Sequence, residues 1–171
     1  DFEKMYFLES DVRFFERYKL RFDDYLKLGN LKPAYQLFNA FRERFFERLE
    51  RVDQILDKGF DYSKEEYVDL DRSNDNWATN TTQLDDLWRK YLKHQVLSLK
   101  LAGKTQEESI EMVRKRYARN AKNVRQWNSE DVFQVYMNAF TESFDPHTSY
   151  FSPISKENFK INISQSLEGI G

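Results

Sequence analysis

Ser129–Gly171 reads SEDVFQVYMNAFTESFDPHTSYFSPISKENFKINISQSLEGIG, and its punctuation predicts helix, rigid corner, helix. Ser129 suits an N-cap, and Glu130 and Asp131 follow where the positive end of a helix favours carboxylates. Val132, Phe133, Tyr136, Phe140 and Phe144 recur at helical spacing and give one apolar stripe. Pro146 disfavours helix at Asp145, so this helix is expected to end near Phe144. Ser155 then offers a cap for a second helix through Phe159 and Ile163, which Gly169 and Gly171 interrupt.

Upstream, the same periodicity continues. Ser10 and Asp11 offer a cap, and Phe15, Tyr18, Phe22, Tyr25 and Leu26 form a stripe stopped by Gly29. Pro33 occupies a permitted first-turn position, and Leu37, Phe41, Phe45, Leu49, Val52 and Leu56 face inward on a longer helix ended by Gly59. The short Asn30–Lys32 connection predicts antiparallel neighbours. The segment 60–72 reads as a short strand or as chain extended over the helices. SNDNWATNTT at 73–82 reads as a loop anchored by Trp77. Helix resumes near Thr82 with Leu84, Leu87, Trp88, Tyr91, Leu92, Val96 and Leu99, and stops at Gly103. Thr105 and Glu108 form a capping box for a helix burying Ile110, Val113, Tyr117, Ala121 and Val124.

Composition agrees. The 171 residues suffice for one domain with a sizeable core. Only 5 Gly and 3 Pro leave little punctuation for a many-turned sheet, so the expected fold is all-α: a single domain of about six helices. A net charge of −2 provides no global field toward nucleic acid or membrane, and no run approaches a membrane span. The absence of Cys removes disulfides and thiolate chemistry.

The reactive residue types are present without reactive spacing. His147, flanked by Asp145, Thr148, Ser149 and Ser152, crowds one turn, where a nucleophile–base–carboxylate relay has no room, and no nucleophile elbow occurs. Asp145, Pro146, His147, Tyr150 and Phe151 read instead as a structural corner in which Asp145 accepts backbone N–H groups. His94 and His147 lie in different elements, and the acidic run Asp61, Glu65, Glu66, Asp69, Asp71 and Asp75 lacks calcium-loop spacing, so no metal or cofactor is expected. VRKRYARNAKNVR at 113–125 carries six basic residues and no acid. Its buried stripe makes the cations a solvated or partner-facing surface, which the acidic 61–75 run could complement, rather than a nucleic-acid helix. Phe14–Phe15 and Phe45–Phe46 cannot both face one core, since neighbours diverge by about 100° on a helix. Phe14, Phe46, Arg114, Arg116 and Arg119 therefore form the candidate interaction surface. An internal echo at constant offset pairs Asp1 with Asp145, Tyr6–Phe7 with Tyr150–Phe151, and Phe15 with Phe159, reading as two similar ways of starting a helix.

The runs EDVFQVYMNAF (130–140), DPHTSYFSP (145–153) and SLEGIG (166–171) resemble the segment preceding the PDZ domain in tail-specific (carboxy-terminal processing) proteases. The resemblance continues upstream through LDDLWRKYLKHQVLSLKLAGKT (84–105) and NLKPA (30–34). It implies that 1–168 is the N-terminal helical domain of a larger periplasmic or envelope endopeptidase and that 169–171 open a PDZ domain. It also implies a serine nucleophile and lysine base beyond Gly171, and substrates taken by apolar C-terminal tails. The implied partners are the downstream PDZ and protease domains, protein substrates and an adaptor protein. An autonomous interaction or dimerisation scaffold is the alternative.

Overall fold

Among the described residues every regular element in the computed structural model is a helix, as the scarcity of glycine and proline predicts. The structure describes residues 1 and 3–168, with the backbone alone for 165–168. Phe2 and the expected PDZ start at 169–171 lie outside the described residues. The helices are α1 Glu9–Glu16, α2 Phe22–Lys27, α3 Lys32–Lys58, α4 Thr81–Leu101, α5 Gln106–Gln126, α6 Ser129–Glu142 and α7 Pro153–Glu168. Internal contacts divide the chain into two units, 1–125 and 126–171.

Seven helices form among the described residues instead of about six because the first stripe is two helices, not one. Arg17 closes α1: its Nε donates to the Phe14 carbonyl at 2.9 Å and its guanidinium lies 3.6 Å over the Phe14 ring. Tight three-residue turns carry the chain from Phe15 to Arg21, and Asp23 and Asp24 favour a fresh start at α2. The start of α1 also differs from expectation. Asp11 sits in the first turn, where its Oδ2 accepts from the Leu8 N–H at 3.0 Å. Arg44 of α3 grips Asp11 through Nε and Nη2 at 2.9 and 2.8 Å, and the Tyr18 hydroxyl donates to Gln36 at 3.2 Å. As the first segment advances from 11 to 18, its partners retreat from 44 to 36, so it runs antiparallel to α3.

The first unit is built around α3, α4 and α5. Pro33 lies in the first turn of α3, and Gly59, at φ 70°, ends the helix where a side chain would be strained. The Thr105 N–H donates to Glu108 at 2.9 Å and the Glu108 N–H to the Thr105 hydroxyl at 3.1 Å, completing the predicted box at the start of α5. The core joins Val52 and Leu56 of α3, Leu84, Trp88, Leu92 and Val96 of α4, and Val113 and Tyr117 of α5. Trp88 is 1 % exposed; its Nε1–H donates to the Met5 carbonyl, and the rings of Tyr6, Tyr91 and Tyr117 surround it at 5.5–6.0 Å. Burial, opposed by the Gln95 hydrogen bond, pushes the Tyr117 phenol up to about 12.

The segment 60–80 is extended without a strand ladder. Its one bridge among the described residues is a parallel pair, Leu8 with Ala78. Lys4 donates to the carbonyls of Ser73 and Asp75, and Trp77 packs edge-on against Phe7. The sequence suggested that the acidic run could complement the basic face of α5, but its buried carboxylate turns to α4. Glu66 accepts Arg89 in a bidentate pair and Lys93 at 2.8 Å, both from α4, with about a tenth of its side chain exposed.

Arg89 first and Lys93 second hold the Glu66 carboxyl well below its ordinary 4.5. A carboxyl that binds protons less tightly when folded contributes stability that is complete above about pH 4.5 and lost as pH falls through the folded value. The urea midpoint is therefore expected to drop on acidification below that point, with Glu66→Gln flattening the drop. An equally steep drop in the variant would assign the acid sensitivity elsewhere.

In the second unit, α6 starts one residue earlier than read. Asn128 is the cap, accepting the N–H groups of Glu130 and Asp131 at 2.8 and 3.1 Å, while its own N–H reaches Asp131 at 2.9 Å. Ser152, not Ser155, caps α7: its Oγ accepts the Ser155 N–H at 3.2 Å. Pro153 at the first helical position has its φ preset for this geometry.

Candidate functional site

The corner between α6 and α7 is held by local hydrogen bonds. Asp145 Oδ1 accepts the His147 N–H at 3.0 Å and Oδ2 accepts the Thr148 hydroxyl at 2.7 Å. His147 thus contributes its main chain, and both carboxylate oxygens are taken by groups other than the imidazole. These hydrogen bonds, led by that from Thr148, hold the Asp145 carboxyl below its usual range. Tyr150 donates its N–H to Asn138 at 2.6 Å and meets Phe133 edge-on at 5.3 Å; Phe151 stacks on Phe159 at 5.2 Å. The geometry is that of a folded turn, and nothing in it moves a proton between side chains. The echo extends to helix starts: α1 begins at Glu9 and α7 at Pro153, the same offset of 144 that separates Asp1 from Asp145. Asp1 makes its own corner by accepting the N–H groups of Met5, Tyr6 and Phe7 at 2.8, 2.9 and 2.8 Å.

The five candidate interaction residues fall in three places. Phe46 and Arg114 line one groove between α3 and α5, of about 560 Å³. Phe46, Leu49, Val52, Ala118 and Ala121 give it an apolar share, and Glu50, Asp53, Glu111 and Lys115 line it as well. Phe45 is turned into the core at 4 % exposure, so its neighbour Phe46 is turned along the groove and meets it edge-on at 5.4 Å. The Arg125 guanidinium lies over the Phe46 ring, 4.9 Å from its centroid. Arg114 spans the rim, donating to Asp53 at 2.8 Å and to Asp57. Arg116 and Arg119 sit round the helix from this groove, in a shallow concavity of about 550 Å³ shared with Met112, Lys115, Ala118 and Lys122. Arg116 reaches Gln95 at 3.2 Å. Phe14, 53 % exposed under Arg17, lines neither. A groove with apolar and charged walls beside a cationic helix face can receive an apolar side chain and hold acidic groups against the cationic face.

Buried ionic groups were missed. Arg48, 6 % exposed, pairs with Asp85, lies 5.9 Å from the Trp88 ring and leaves its Nε without a partner among the described residues. Its place between Phe45 and Val52 on the inward stripe was the available signal, since an arginine there needs a buried acid.

Residues 1–154 match the family model described as Tail specific protease N-terminal domain. The chain belongs to that family. Comparison with curated proteins adds a tail-specific protease of Haemophilus influenzae, 32 % identical over 172 residues. That similarity takes in all of this chain but 25 % of the relative, so the tail-specific protease N-terminal domain described here spans about a quarter of the relative's length. Both α3/α5 groove and corner fall inside the matched span of the tail-specific protease family, and most of α7 lies after it.

Proposed function

We propose that this chain is the non-catalytic N-terminal domain of a periplasmic or envelope serine endopeptidase that processes proteins from apolar C-terminal tails. The family match over 1–154 carries this reading. In it, the serine nucleophile and lysine base belong to other parts of the longer polypeptide, along with a PDZ domain. The helical domain's part is to shape substrate access or to dock protein partners such as an adaptor, with the α3/α5 groove and the cationic face of α5 as the receiving surface.

The test compares the 171-residue chain with the longer polypeptide on a peptide ending in an apolar tail. The longer chain is expected to cleave it and the 171-residue chain to leave it intact; cleavage by the latter overturns the reading. In the longer chain, Phe46→Ala combined with Arg119→Glu is expected to lower kcat/KM for folded protein substrates, or adaptor affinity, by roughly tenfold, the equivalent of ~1.4 kcal/mol. Cleavage of a short peptide by the same variant should stay unchanged. A second reading, an autonomous scaffold that self-associates, draws on the exposed apolar side chains of residues 126–164. Light scattering that returned a stable dimer of the 171-residue chain would favour it.

A further inference from the structure

Residues 126–164 hold two helical segments yet bury only Val132 and Ser152. Among the described residues, eight of the fifteen exposed large apolar side chains lie in this stretch, against seven in residues 1–125, a segment about three times as long. So short a unit cannot build a core from its own side chains, and helix propensity alone does not hold a pair of helices together. Its apolar faces call for cover from outside residues 126–164.

The distribution on α7 says what kind of cover. Ile154 and Ile161, 69 % and 51 % exposed, lie two turns apart on one side. Phe159, 49 % exposed and stacked on Phe151, lies about 150° round the helix from them at 3.6 residues per turn. The Ser155 hydroxyl, between these directions, donates to Gln134 of α6 at 3.1 Å. A helix that is apolar on nearly opposite sides is one enclosed on both.

We infer that α7 is an internal helix of the longer polypeptide, clasped on its Ile154/Ile161 side by an apolar surface of the polypeptide that the relative carries outside the matched quarter. This rests on the reading proposed above. The relative aligns along all of this chain, α7 included, and three quarters of its length lies elsewhere. A surface on the same polypeptide is always present at high effective concentration, which suits a patch that must stay covered. A dissociable partner would leave isoleucines and phenylalanines in water each time it departed, an aggregation liability.

Hydrogen–deuterium exchange of the longer chain tests this, with α7 amides referenced to α5 amides of the same molecule. Exchange over 156–164 is expected to be at least about tenfold slower in the longer chain than in the 171-residue chain. Ile154→Glu with Ile161→Glu is expected to abolish the difference, and Lys160→Glu, on the polar side, to preserve it. Should the double variant fail to fold, Ile161→Ala is expected to give a partial loss. Equal exchange in the two unsubstituted chains overturns the inference, as does α7 protection in the 171-residue chain that rises with concentration, which would mark a second copy as the cover. Peptide cleavage by the same longer chain separates the two claims. Cleavage without α7 protection sinks the inference and leaves the protease reading; protection without cleavage does the reverse.

Discussion

Trp88→Ala is expected to destabilise the first unit by about 3–5 kcal/mol, the range usual for truncating a buried aromatic side chain. The indole is 1 % exposed and touches all the layers that make the core. It meets Tyr6 of the N-terminal segment, Tyr91 of its own helix and Tyr117 of α5, and its N–H satisfies the Met5 carbonyl. Truncation leaves a cavity among three rings and an unpaired buried carbonyl, and the two costs add. For a chain of this size the thermal midpoint should fall by roughly 10–15 °C. Trp88→Phe keeps most of the volume and loses the donor, so it should fall between the two. A loss under about 2 kcal/mol for the alanine variant would mean that the core closes without the indole.

The second large effect is an asymmetry. Arg48 and Asp85 form one ion pair, but their side chains are 7 % and 38 % exposed. Removing the acid strands a buried guanidinium, and removing the base leaves a carboxylate that water can reach. Asp85→Ala is therefore expected to cost about 3–5 kcal/mol, the usual result of leaving a buried charge without its partner. Arg48→Met, of similar length, should cost under about 1.5 kcal/mol, because an apolar chain against Trp88 replaces a cation whose Nε has no partner among the described residues. Urea unfolding of the two single variants decides it. Equal losses would show that the pair's geometry, rather than the burial of one member, carries its contribution.

These features differ in how plainly the sequence announces them. The start of α5 was legible to the residue because Thr105 and Glu108 satisfy each other's backbone and nothing nearby competes. The starts of α6 and α7 were misplaced by one and three residues because Asn128 stands beside Ser129 and Ser152 near Ser155, all of them competent caps. The break between α1 and α2 left no trace in the stripe, since an arginine turned back on a carbonyl and a ring makes it, with no glycine or proline involved. The groove was half legible. Two adjacent phenylalanines cannot share one core, which pointed to Phe46; Phe14 obeys the same rule and simply faces solvent. The destination of the acidic run was hidden because complementarity of charge does not encode distance. Glu66 meets α4 cations 23 and 27 positions away, and Arg114 turns to Asp53 and Asp57.

The bond between the Trp88 indole and the Met5 carbonyl joins positions 83 residues apart. During synthesis Met5, Tyr6 and Leu8 leave the ribosome long before the helix that will bury them, at 5–20 residues per second an interval of roughly 4–17 s. For the last part of that time, once α3 has been made, its inward face also lacks its cover. A nascent chain of this domain is thus a client for whatever holds apolar segments apart in the cell, until α4 has emerged and the two ends of the core can meet.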